Sequence, residues 1–220
     1  MSSFNLLTVV NAVAPKFESI DSEIYSLQKQ YPNYTNDQLA DKYCNSIVNK
    51  YTSTGVASSL PSVIPGLGTA VQIATEVGTI GADLALMLRF MASICYGTAK
   101  IYGKENINEF DGEFITVLGL WCGAILPARV AAQKLATKAA FITFNKNITG
   151  KILQRINAKV GFTLVTKYGT KRGGVALGRL IPFGVGAAIG GGFNYATMKS
   201  FKKAAINKYK STEEDYIIVD

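Results

Sequence analysis

Residues 69–102 read TAVQIATEVGTIGADLALMLRFMASICYGTAKIY, and only Glu76, Asp83, Arg89 and Lys100 among them are charged. The pattern predicts one long helix that is apolar nearly all round. Such a helix is either the centre of a helical core or in contact with lipid. A turn at Ile64-Pro65-Gly66-Leu67-Gly68 leads into it. Pro61, Pro65, Gly66 and Gly68 break the charge-free stretch 51–75, so it cannot be one simple spanning helix. The expected fold class is all-α: a compact helical bundle with Gly-rich apolar helices, associating with a membrane.

On the N-terminal side, residues 1–15 suggest a short amphipathic helix rather than an export signal, because no basic residue opens them. Phe17, Ile20, Ile24 and Leu27 form a helical stripe that ends near Tyr31-Pro32. Thr35-Asn36-Asp37-Gln38 has capping-box spacing. The helix it opens runs through Leu39, Tyr43, Ile47 and Tyr51, with Gly55 as the expected stop. On the C-terminal side, residues 104–113 form an acidic loop or short helix. Residues 114–128 carry no charge, contain Gly119-x-x-x-Gly123 and Trp121, and fall short of the roughly 20 residues that a spanning helix needs. Residues 129–143 and 149–168 read as basic helices. The last apolar run, 180–198, places Gly186 and Gly190 at a spacing that lets helix backbones approach closely. The same packing role is expected for Gly66, Gly68, Gly119 and Gly123. The tail 211–220 is acidic and is expected to be mobile or loosely docked.

Charge is distributed very unevenly. Residues 1–113 hold seven basic and eleven acidic side chains, whereas residues 114–210 hold sixteen basic and no acidic ones, within a net charge of +8. A basic field beside Gly-rich apolar sequence points to an anionic lipid surface; nucleic acid is the other usual partner of such a field. Nucleic acid fits less well, because no aromatic-interleaved recognition pattern accompanies the cations. Lys134, Lys138, Lys151, Arg155, Lys159, Lys171 and Arg172 are the expected membrane-facing cations, with a merely solvated surface as the plain alternative.

Chemistry-bearing residues are sparse. Histidine is absent, which removes the commonest general base and metal ligand and excludes Ser-His-Asp or Cys-His sites. Cys44, Cys95 and Cys122 are widely spaced, and their apolar helical settings predict buried free thiols. No catalytic residue, metal site or cofactor is expected. The Gly-rich turns lack the phosphate-loop pattern. Ionisable groups on an apolar helix need partners or water. Glu76, Asp83, Arg89, Lys167 and Arg179 therefore form a candidate polar site, read either as a site for a lipid headgroup or ion, or as a structural ion pair of Asp83 with Arg179, Lys167 or Lys100.

Three groups of residues resemble the EcsC family. The first is Leu60-Pro61-x-x-Ile64-Pro65-Gly66-Leu67-Gly68-Thr69, followed by Ala82-Asp83-Leu84, Leu88-Arg89 and Tyr102-Gly103. The second is Ile156-Asn157-x-Lys159-Val160-Gly161-x-x-Leu164-x-Thr166-Lys167. The third is Leu177-Gly178-Arg179-Leu180-Ile181-Pro182, then Gly184 to Gly192 and Asn194. The resemblance covers about residues 35–210 and rests on the order of these motifs. It implies an α-helical, membrane-associating protein and no defined reaction. The expected organisation is an N-terminal helical extension at 1–34, an EcsC-like helical domain at 35–210 and an acidic tail at 211–220.

The expected function is non-enzymatic: docking on, or partial insertion into, an anionic bilayer, with lipid as the ligand. A partner-binding module (immunity, regulatory or transporter-associated) is the first alternative and would bring in a membrane-protein partner. A membrane-proximal hydrolase is the second. The expected location is cytoplasmic, peripheral to or partly embedded in a membrane, and not secreted.

Overall fold

The computed structural model describes residues 10–11, 13–56, 82–128, 130, 143–144, 189–212 and 215–218. Five α-helices account for most of these described residues: α1 (Phe17–Gln30), α2 (Asn36–Val56), α3 (Ala82–Ile101), α4 (Phe110–Cys122) and α5 (Ile189–Lys210). The turn at 64–68, the basic helix at 149–168 and the start of the last apolar run lie outside the described residues.

Local chemistry sets the first two helices. In α1 the expected stripe turns inward: Ile20 and Ile24 are buried, and Phe17 and Leu27 pack against the core. The helix stops before Tyr31, since Pro32 disfavours helical backbone in the residue preceding it. Thr35 and Gln38 form the capping box reciprocally. The Thr35 amide donates to Gln38 Oε1 at 2.8 Å, and the Gln38 amide donates to Thr35 Oγ1 at 3.3 Å. α2 then runs through Gly55 to Val56 instead of stopping at the glycine. A helical Gly costs only about 1 kcal/mol relative to Ala, so it does not oblige a stop.

For α3, the structure decides between core and lipid contact over the part whose side chains are described. Met87, Leu88, Met91, Ile94, Cys95, Tyr96, Thr98 and Ala99 are buried on successive faces. α3 touches the other four helices, so its all-round apolarity is that of a central core helix. Among the described residues, no helix is long and apolar enough to cross a membrane.

Aromatic rings link the bundle. Phe17 of α1 lies 4.7 Å from Tyr96 of α3 and 5.2 Å from Phe110 of α4. Phe110 stacks on Phe114 at 5.8 Å, and Phe114 meets Phe201 of α5 edge-on at 6.2 Å. Edge-to-face pairs of this kind add about 0.5–1.5 kcal/mol each beyond their buried area. α5 contributes Met198, Phe201, Ala205 and Tyr209 to the same core at helical spacing.

The acidic stretch from 104 holds a loop and a short helix, as expected, and the chain from 114 to 128 differs from its sequence reading. A 3₁₀ turn, Ile107–Glu109, leads into α4, which ends at Cys122. Gly123 adopts a left-handed φ of 75°. Its amide bonds the Leu120 carbonyl at 3.3 Å, and the Ala124 amide bonds the Gly119 carbonyl at 2.9 Å. This is a Schellman stop. Gly123 therefore ends its helix rather than lying on a packing ridge, and Gly119 serves as the acceptor of that stop. Gly103 closes α3 in the same way, with φ 65°.

Just beyond Gly123, residues 125–127 are extended. Strand β1 (Ile125–Pro127), strand β2 (Thr143–Phe144) and strand β3 (Tyr216–Ile218) form an antiparallel sheet in the order β1-β3-β2. The tail is thus built in as the middle strand, and Tyr216 is buried. Its β-branched and aromatic residues find two edges to pair with, Ile125–Pro127 on one side and Thr143–Phe144 on the other. Thr143, expected at the end of a basic helix, is a strand residue.

Gly97 of α3 lies directly against the Tyr43 ring of α2. A Cβ built there lies 2.5 Å from Cζ and 2.7 Å from the hydroxyl of Tyr43, a ring that is 1% exposed. Gly97→Ala should lower stability by about 1–3 kcal/mol in urea denaturation, because the ring has nowhere to move. Gly112→Ala, where no described atom lies within 4 Å of the new methyl, should be neutral or stabilising by up to about 1 kcal/mol.

Candidate functional site

The described lysines of α5 divide between two faces. On the inner side, Lys202 is 8% exposed, and its Nζ lies 2.5 Å from Asp41 Oδ1 and 2.7 Å from Asn45 Oδ1 of α2. Lys210 donates to Asp37, which also accepts from the Tyr102 hydroxyl at 2.6 Å. These two donors hold the Asp37 carboxyl below its usual range. Lys208 Nζ sits 3.4 Å from Glu113 Oε2 and 5.4 Å from the ring centres of Tyr209 and Tyr216. Burial alone would lower its affinity for the proton, but Glu113 and Tyr216 raise it above the usual lysine value. Three cations of the acid-free segment are therefore answered by carboxylates from the first half of the chain. The positive field that looks unopposed in sequence is partly neutralised in the fold.

The outer face is different. Tyr195, Lys199, Lys203 and Asn207 recur every fourth residue and are all exposed. Lys199 Nζ lies 5.6 Å from the Tyr195 ring centre. Beside this stripe, a groove of about 590 Å³ runs between the end of α4, β1 and α5. Trp121, Leu126, Pro127 and Val130 supply an apolar wall, while Lys203, Lys208 and Lys210 supply a cationic one. The described lining residues include no carboxylate. Trp121 is fixed by its Nε1, which donates to Ser200 Oγ at 2.8 Å; Ser200 in turn donates to the Thr197 carbonyl at 2.8 Å. A second groove, about 790 Å³ between α1 and α2, holds Glu23, Asp37 and Asp41. Each of these carboxylates is already paired, with Lys50, Lys210 and Lys202 respectively.

Of the polar site expected on the apolar helix, Arg89 is half-buried on α3. Asp83 is placed by its backbone in the same helix, and its side chain lies outside the described residues, as do Glu76, Lys167 and Arg179. Lys100, one expected partner of Asp83, pairs with Glu105 at 2.9 Å and Asp21 at 3.6 Å. Lys134, Lys138, Lys151, Arg155, Lys159, Lys171 and Arg172 also lie outside the described residues, as do Gly66, Gly68 and Gly186; Gly190 falls in the first turn of α5. The outer lysines and Trp121 were missed as a site. Their signal was the four-residue recurrence of Tyr195, Lys199 and Lys203 on a helix whose first turns are glycine-rich.

The interior offers little for covalent chemistry. Burial pushes the thiols of Cys44 and Cys95 up to about 12, outweighing the bonds that Thr98 and Tyr209 make to them. Both are therefore neutral at physiological pH and poor nucleophiles. Among the described residues, no group of three or more His, Cys, Asp or Glu could hold a metal ion. Compared with protein-family models, curated proteins and solved structures, the chain matches none.

The thiol environments make two outcomes checkable. Alkylation of the folded protein at about pH 8, read by intact mass, should leave Cys44 and Cys95 unmodified until the chain is unfolded. Both groups hold their proton more tightly when folded. The stability they confer is complete below the ordinary thiol value of 9.0 and is lost as pH rises toward about 12. Urea midpoints should therefore fall across that alkaline window.

Proposed function

We propose that this protein is a non-enzymatic, membrane-associating helical protein that docks on anionic bilayers through the basic half of its chain. The observation that carries the reading is the outer face of α5. There an exposed aromatic–lysine stripe, Tyr195, Lys199 and Lys203, adjoins a groove with a cationic wall and no carboxylate among its described lining residues. Tyrosine and tryptophan favour the level of lipid headgroups, and lysine reaches the phosphates while its stem covers apolar surface. Each cation near an anionic leaflet contributes about 1 kcal/mol. The sequence 114–210 holds sixteen basic and no acidic residues, which supports the same reading, and the resemblance to the EcsC family points the same way. The location implied is peripheral, on a cytoplasmic leaflet.

Co-sedimentation with vesicles tests this. Binding should require anionic lipid and weaken as salt shortens the reach of the field from about 10 Å to about 3 Å. Lys199→Glu and Lys203→Glu should each weaken binding by about fivefold or more. Lys29→Glu, an exposed change of equal charge on α1, should have little effect. Binding indifferent to lipid charge and salt would overturn the reading. Salt-sensitive capture of one acidic membrane protein, with no binding to bare anionic vesicles, would favour the partner-binding alternative.

A further inference from the structure

We infer that the groove between α4, β1 and α5 is a specific site for the phosphate headgroup of a single anionic glycerophospholipid. This inference rests on the membrane reading and goes beyond it, because a field that merely attracts a charged surface needs no cavity. The groove is concave, and its volume of about 590 Å³ lies within the ordinary range for small-ligand sites, roughly 300–1,000 Å³. Its two walls differ in kind. Trp121, Leu126, Pro127 and Val130 are suited to the glycerol and first methylenes, and Lys203, Lys208 and Lys210 to the phosphate.

The cations are available in number. An ammonium group has three donors and no acceptor. Lys208 is engaged by Glu113 and Lys210 by Asp37, and each keeps further donors. Lys203 is exposed and has no partner among the described residues. Lys208 is also held in place, with its side chain only 13% exposed against the Tyr216 ring. An anion entering the groove meets positive charge already ordered by the fold and, among the described lining residues, no carboxylate; Glu113 and Asp37, the partners of Lys208 and Lys210, are themselves ion-paired. A soluble phosphate would use the cationic wall alone, so the apolar wall is what assigns the ligand to lipid.

The chain has one tryptophan, Trp121, and it lines this groove, so its fluorescence reports occupancy directly. Short-chain phosphatidic acid or phosphatidylglycerol, below micelle-forming concentration, should change the Trp121 emission saturably. Short-chain phosphatidylcholine should not. Lys203→Glu, an exposed substitution whose folding is checked by circular dichroism, should weaken the response by about fivefold or more. No saturable change with the anionic short-chain lipids, while anionic vesicles still sediment the protein, would overturn the groove assignment and leave the membrane reading standing. The same change with inorganic phosphate at the same concentration would overturn the assignment to lipid. Failure to bind vesicles at all would remove both.

Discussion

The buried ammonium of Lys202 constrains how this molecule can assemble. It sits between Met198, Phe201, Ala205 and Tyr209, the residues that α5 contributes to the core. Packing that apolar stripe therefore buries the charge as well. An ammonium on that stripe without an acceptor would be disfavoured, so the packing of α5 favours a register that presents Lys202 to acceptors. Asp41 and Asn45, four residues apart on α2, provide them. The neighbouring residue, Lys203, is then turned outward about 100° further round the helix, and with it the whole Tyr195–Lys199–Lys203 row.

The same docking explains how a chain with one acidic and one strongly basic half folds on itself. Asp37, Asp41 and Glu113 belong to the acidic half and meet Lys210, Lys202 and Lys208 of the basic half. The pairs are not equivalent. Lys210–Asp37 is about half exposed on both sides and contributes little. Lys208–Glu113 is mostly buried, so removal of either partner alone would leave a costly charge in the interior. The tail closes the arrangement. Lys104 holds the Ser211 carbonyl at 2.7 Å, and the Ala128 amide bonds the Asp215 carbonyl at 2.9 Å. These bonds place Tyr216 against Lys208 and complete one end of the groove.

Much of the helical framework was legible in the sequence because its signals are local. The stripe ending at Pro32, the Thr35–Gln38 box and the all-round apolarity of α3 each follow from residues a few positions apart. The sheet was not legible. Strands of two and three residues carry almost no periodicity, and β1 and β3 pair across a long sequence separation. The Gly119–Gly123 spacing was ambiguous for a physical reason: glycines four apart serve a close helix crossing and a Schellman stop equally well, and only the left-handed φ of Gly123 separates them. Charge counting had a similar blind spot. Lys202 and Lys203 weigh the same in a net charge, yet one is buried in an ion pair and the other faces outward.

The most direct measurement is the environment of a polarity-sensitive fluorophore placed on that face. Attached at Tyr195→Cys, in a protein whose Cys122 is replaced by serine, it should shift to the blue on anionic vesicles. The same label at Tyr25→Cys, on the exposed side of α1, should keep its aqueous spectrum. A vesicle-bound protein in which the Tyr195 position stays aqueous, or in which the Tyr25 position shifts instead, would contradict membrane docking through the outer face of α5.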